Sequence, residues 1–133
     1  MRVLLIEPDK VLATTYTVAL RQQGYRVDTV ATAQQALIAA DEHCPDIVVM
    51  EHQLSGTNGI GFLQEFRSYS DWRQVPVVFH TVMPPHKQQQ ASQLLAKEYG
   101  VVRWLYKPRT NLDELCSIVA QYGAGKGNGQ QQA

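Results

Sequence analysis

The chain has 133 residues, 44% hydrophobic and 18% charged, the length and balance of one globular domain that buries most of its apolar surface without staples. Twelve Lys and Arg against twelve Asp and Glu give a formal net charge of zero. Nucleic-acid surfaces normally carry a basic excess, so no direct nucleic-acid binding is expected of this domain, and the charge gives no reason to expect a membrane partner.

In chain order, short apolar runs alternate with segments of helical period. "RVLLI" (2–6), "YRVDTV" (25–30), "DIVVM" (46–50), "VPVVFH" (75–80) and "VVRWLY" (101–106) have strand composition. The most continuous of them suit a parallel sheet covered on both faces. Between them, three-and-four spacing marks one buried face on each of five helices. The stripes are Leu12, Tyr16, Ala19 and Leu20; Ala33, Ala36, Leu37 and Ala40; Gly59, Phe62, Leu63 and Phe66. Ala91, Leu94, Leu95 and Tyr99 form the fourth; Leu112, Leu115, Cys116 and Val119 form the fifth.

The punctuation agrees with this division. Asp9 and Thr32 sit where helix caps are wanted, and Gly24 and Gly100 where helices end. Ser55, Gly56, Asn58 and Gly59 predict a turn with left-handed positions at Gly and Asn. A strict (βα)₅ alternation predicts an α/β fold: a doubly wound, flavodoxin-like five-stranded parallel sheet with helices on both faces. The domain is expected over residues 1–122, with the Gly/Gln-rich stretch 123–133 a flexible tail or the start of a linker.

Val3-Leu4-Leu5-Ile6 is too short for a signal-peptide core and no stretch reaches the length of a membrane span, which predicts a cytoplasmic location. Cys44 and Cys116 show no CxxC and no zinc spacing, so two buried free thiols are expected.

In such sheets ligands sit at the carboxyl ends of the strands, near the point where strand order reverses. The residues there are Glu7 and Asp9 after the first strand, Glu51 and His52 after the third, His80 and Thr81 after the fourth, and Lys107 with Pro108 after the fifth. Glu51 ends a run of core residues, and a lone buried charge is costly. Lys107 can neutralise it and Thr81 can donate a hydrogen bond to it. His52 is expected to point into loop or solvent. A metal triad of Glu7, Glu51 and His80 is disfavoured, because strand alternation aims His80 away from Thr81's side.

These stretches, "VLLIEPD", "PDIVVMEHQLSGTNGIGFLQEFR", "VPVVFHTV" and "GVVRWLYKP", together resemble the CheY-like receiver domain of bacterial response regulators. The resemblance implies a phospho-acceptor position at Glu51, a metal-holding acidic pair at Glu7 and Pro8, a switch hydroxyl at Thr81, a switch aromatic at Trp104 and the family lysine at Lys107. It also implies a cis peptide bond at Lys107–Pro108. Trp104 is either a buried rotamer switch or a ring packed on the sheet edge.

The departures decide the functional expectation. Glu51 stands where the family has an aspartate, and Pro8 offers no carboxylate. Phosphoryl transfer depends on positioning and on a charge-neutralising metal, and a misplacement of about 1 Å can cost on the order of 10²-fold in rate. Asp9 could replace the missing ligand but sits where a cap is wanted. Glu7, Asp9 and Glu51 are therefore weak metal candidates; Mg2+ binding is expected to be weak or absent, and no other cofactor is expected.

The sequence thus predicts a degenerate receiver, or pseudo-receiver: a phosphorylation-independent signalling module and no enzyme. The structural alternative is a Glu51–Lys107 pair that only settles the sheet end. The expected partner is a protein (a histidine kinase, an output domain or another regulator) held by the fourth helix, fifth strand and fifth helix. Val102 and Arg103 stand where dimerising DNA-binding subfamilies commonly carry an acidic residue before the aromatic, which argues against a charge-paired dimer and leaves a different homodimer through the same face open. Met83-Pro84-Pro85-His86 predicts a loop of reduced travel, and Lys87 to Gln90 a solvated helix face. Two other functions remain: a working phosphorelay receiver that takes a phosphoryl group with Mg2+ on Glu51 or Asp9, and a small metal-dependent or cofactor-binding enzyme on the same fold.

Overall fold

The computed structural model describes residues 1–84 and 89–132; within them, side chains at 89–92, 94 and 124–132 are not described. Pro85, His86, Lys87 and Gln88 of the predicted loop and helix face lie outside the described residues, as do the side chains of Ala91 and Leu94.

Among the described residues five strands and five helices follow the predicted alternation, and two further short strands interrupt it between the third strand and the third helix. They are β1 (Arg2–Ile6), α1 (Lys10–Gln22), β2 (Arg26–Val30), α2 (Ala33–Glu42), β3 (Ile47–Met50), β4 (Gln53–Leu54), β5 (Thr57–Asn58), α3 (Gly59–Phe66), β6 (Val77–Thr81), α4 (Gln89–Tyr99), β7 (Val101–Tyr106) and α5 (Leu112–Gln132). Five strands form one parallel sheet in the order β2-β1-β3-β6-β7. Short turns of 3₁₀ helix at Ser70–Trp72 and Lys107–Arg109 complete the chain.

Alternate residues of the central strands enter opposite layers, as the pleat requires. Leu4, Ile6, Val48, Met50, Val77 and Phe79 pack on one face with Ala36, Phe62, Phe66 and Leu95 from α2, α3 and α4. Val3, Leu5, Ile47, Val49 and Val78 pack on the other with Tyr16, Leu20, Leu115 and Val119 from α1 and α5. Strands covered on both sides have no solvent face, which is why β1 and β3 read as unbroken apolar runs.

The caps form where expected: Asp9 accepts from the Leu12 amide at 2.9 Å, Thr32 from that of Gln35 at 3.1 Å. Gly24 and Gly100 take left-handed backbone, φ +89° and +66°, just past α1 and α4.

Several expectations are corrected. Asn58 is extended rather than left-handed, with φ −116°, because its side chain caps α3 by accepting from the Gly61 amide at 3.0 Å. The predicted turn is a small hairpin, β4 against β5, with Gly56 alone at positive φ among residues 55–59. Leu112 is exposed, since α5 begins there and its buried stripe starts one turn later at Leu115. Cys44 lies exposed beyond the end of α2, and Cys116 is half-buried. α5 runs from Leu112 to Gln132. Gly123 is buried, and a Cβ there would collide with the Met1 sulfur, so this glycine extends the Leu115–Val119 stripe by one more turn.

Phe66 is fully buried and its ring stacks between Phe62 and Trp72, at 5.1 and 5.0 Å. Phe66→Ala is expected to destabilise the domain by about 3–5 kcal/mol in urea unfolding with little change in slope, because the cavity has rigid aromatic walls.

Candidate functional site

Register brings the predicted residues to one end of the sheet. Ile6 pairs with Met50, Met50 with Phe79, and Thr81 with Tyr106. Glu7, Glu51, Thr81 and Lys107 therefore leave four adjacent strands side by side. The strand order changes direction between β1 and β3, where such folds leave a crevice.

Glu51 is 5% exposed and its carboxylate is saturated. Oε2 accepts from the Gln53 amide at 3.0 Å and from the Thr81 hydroxyl. Oε1 accepts from the Val82 amide at 3.2 Å and from the Lys107 ammonium at 3.0 Å. Burial alone would raise this carboxyl's pKa; the Thr81 hydroxyl, the Gln53 amide and Lys107 outweigh burial and hold it below the ordinary value.

Lys107 is shared. Its ammonium lies 2.6 Å from Glu7 Oε1 as well as 3.0 Å from Glu51 Oε1, with all three side chains under a tenth exposed. Burial would lower the lysine's pKa, but bonds to Glu7 and Glu51 raise it above the ordinary value. Two carboxylates and one ammonium leave a formal charge of −1, spread over the Gln53, Val82 and Asp9 amides and the Thr81 hydroxyl. The sequence expectation had Lys107 on Glu51 alone; its second partner follows from two carboxylates at one sheet end.

Asp9 is exposed and committed to its cap, and half-buried Pro8 has neither a carboxylate nor an N–H to bring. Among the described residues no three His, Cys, Asp or Glu side chains are placed to hold a metal ion together. His80 lies in the other layer, its ring edge-on to Tyr16 at 4.7 Å and its Nε2 buried without a partner.

His52 overturns its expectation. It is 8% exposed, stacked on Phe79 at 5.3 Å and tilted against Trp104 at 5.8 Å. His52 lies two residues after Met50 and enters the same layer, continuing the strand alternation, and a bond from the Gly59 amide to the His52 carbonyl at 2.7 Å closes the following loop over it. Trp104 takes both of its alternatives in part. It is half-buried against Phe79 at 5.3 Å, and its indole N–H donates to the Met83 carbonyl at 2.9 Å. The Met83 amide in turn donates to Thr81 Oγ1 at 3.1 Å, so residues 81–83 are held from the site and from the core together. No cis peptide bond occurs among the described residues: Lys107–Pro108 is trans, and Pro108 instead opens the 3₁₀ turn Lys107–Arg109. An open cleft of ≈ 620 Å³ between the start of α2, the hairpin and α3 includes none of the site's four side chains.

Fold and site together define a two-component signalling receiver. The response regulator receiver domain family matches residues 3–120, and the chain belongs to it. The DNA-binding response regulator MtrA of Mycobacterium tuberculosis is 32% identical over 107 residues, which cover 80% of this chain and 44% of MtrA. The KDP operon transcriptional regulatory protein KdpE of Escherichia coli is 26% identical over 106 residues, with the same two coverages. This chain thus spans less than half the length of those relatives. Among solved structures, the receiver domain of a Pseudomonas aeruginosa sensor histidine kinase, determined with magnesium in its active-site cleft, superimposes with TM-score 0.77 at 28% identity, over 92% of this chain and 97% of that one. Chemotaxis response regulator CheY4 of Vibrio cholerae shares the fold with TM-score 0.79 at 24% identity, covering 91% and 97%. Receiver domains are signalling modules that work with histidine kinases and output domains. Among the described residues no helix is long and apolar enough to cross a membrane.

Burial in the Tyr16 layer, with Lys107 nearby, pushes His80 down to about 4 from 6.5. Its unfolded form binds a proton that the fold refuses, so this contribution is complete above pH 6.5 and is lost as pH falls toward 4. The loss is about 3 kcal/mol over that window. His80→Phe is expected to flatten the pH dependence of unfolding free energy between pH 6.5 and 4; an unchanged slope would contradict the assignment.

Proposed function

We propose that this domain is a pseudo-receiver whose Glu51 carboxylate stands permanently where a phosphoryl group would arrive. The single observation that carries the reading is the four-donor saturation of Glu51 by Gln53, Thr81, Val82 and Lys107. An incoming phosphoryl group needs such donors, and here the protein's own anion already holds them. The inward placement of Trp104 and its bond to the Met83 carbonyl support an active-like arrangement of residues 81–83. The mimicry is partial, since a carboxylate carries one charge where a phosphate carries roughly two.

Mg2+ has no part in this reading. Glu7 is engaged by Lys107 and the Asp9 amide, Pro8 supplies no ligand, and the Glu51 oxygens are filled, so the residues present do not fit the ion. The ammonium of Lys107 is the resident cation. Signalling then passes to a protein partner over the face formed by α4, β7 and α5, where Arg103, Asp113 and Glu114 are exposed.

Adding beryllofluoride or acetyl phosphate with Mg2+ is expected to produce no saturable amide shifts at Gln53, Thr81 or Val82 in the wild-type protein. Saturable shifts there would overturn phosphate independence. In Glu51→Ala the vacated donors are expected to take up inorganic phosphate, read as saturable shifts of the same amides that are lost in the double variant with Lys107→Met.

A further inference from the structure

We propose that Arg67 fixes the pivot of α4, so that any displacement of this helix is a swing of its N-terminal end about Tyr99 and Gly100. Arg67 closes α3, where its amide bonds back to the Leu63 carbonyl at 2.9 Å. Its guanidinium reaches three carbonyls beyond α3: Nε donates to Tyr99 at 2.8 Å, and Nη1 to Trp72 at 2.6 Å and Arg73 at 3.3 Å. The Tyr99 carbonyl is the last of α4, one of the acceptors that a helix end leaves without an intrahelical partner and that carries its negative partial charge.

The surroundings are built for this contact. The guanidinium lies over the Phe66 ring, 5.5 Å from its centroid. Burial lowers the Arg67 pKa, and no carboxylate pairs with it among the described residues, so backbone carbonyls alone hold the cation. Gly100 lets it approach: a Cβ there would stand 2.9 Å from Nη2, at a φ of +66° that already favours glycine. One side chain thereby joins the end of α3, the 3₁₀ turn and the end of α4.

A different tether acts earlier in the chain. Residues 82 and 83, which precede it in the chain, are held by Glu51 at the Val82 amide and by Trp104 at the Met83 carbonyl. With the C-terminal end pinned, 11 residues at a 1.5 Å rise give an arm of about 16 Å, so a swing of about 10° moves the free end by roughly 3 Å. The pivot stands on the contacts of Arg67. The reading of Glu51 as a standing anion bears only on which position α4 occupies.

Native-state amide hydrogen exchange tests it in two variants. Trp104→Phe removes the indole donor and leaves Arg67 untouched. Protection along α4 is expected to fall at least tenfold at Gln93, the first amide with an acceptor inside the helix, and to recover progressively toward Tyr99, whereas a uniform loss, or one greatest at Tyr99, would overturn the pivot. Arg67→Met is expected to speed exchange along the whole of α4 and at the Met83 amide and Trp104 indole. Changes confined to residues 72–75 and 99–101 would make Arg67 a local brace and refute the proposal. Should Arg67→Met fail to fold, the gradient in Trp104→Phe decides alone. Neither result depends on phosphate addition, so the pivot and the pseudo-receiver reading fail separately.

Discussion

A carboxylate leaving β3 gathers donors from across the sheet end: the Thr81 hydroxyl on β6, the Val82 amide just past it, the Gln53 amide on its own loop and the ammonium at the close of β7. Taking Glu51 and Lys107 out of water costs several kcal/mol per ion, and only dense hydrogen bonding offsets that penalty. The four bonds supply that offset, which is why Glu51 stays ionised despite its burial. Because the donors come from different strands, the anion also fixes how β3, β6 and β7 end relative to one another. Val82 and Met83 just past β6, and through Met83 the indole of Trp104, inherit their positions from this one contact.

Charge in the site is unevenly settled. Lys107 serves Glu7 and Glu51 at once, and the remaining negative charge rests on backbone amides and one hydroxyl rather than on a second cation. In a family whose chemistry uses an aspartate and a metal, this chain carries a longer acid whose oxygens meet the protein's own donors and a lysine that bridges two acids. The same geometry sets the limit of the mimicry proposed above. A planar carboxylate offers two oxygens, and both are fully used.

The second cation, half-buried Arg67, follows another rule. Its partners are carbonyls at helix and turn ends: Tyr99 closing α4, and Trp72, which also accepts from the Val75 amide. One guanidinium thus joins several acceptors while it lies over the Phe66 ring, an arrangement a lysine could not reproduce. A carbonyl clamp thus holds the C-terminal end of α4, while ionic and indole contacts hold Val82 and Met83 just past β6.

Periodicity by itself determined much of this protein. Unbroken runs such as Ile47–Met50 specify strands buried on both faces, three-and-four spacing specifies the helix faces, and Asp9, Thr32, Gly24 and Gly100 punctuate them through local backbone preferences that need no tertiary partner. The gathering of Glu7, Glu51, Thr81 and Lys107 was legible too, because every parallel strand delivers its next residue to the same end of the sheet. Tertiary structure alone decided what no local signal encodes. His52 follows Met50 into its layer, but the cover that buries it comes from the loop closed by the Gly59 amide on the His52 carbonyl. Lys107 divides itself between two acids because β1 and β3 end level with each other. The amides of Gln53 and Val82 become ligands of Glu51 through loop geometry, since every non-proline residue carries an amide and only three-dimensional placement singles out two of them.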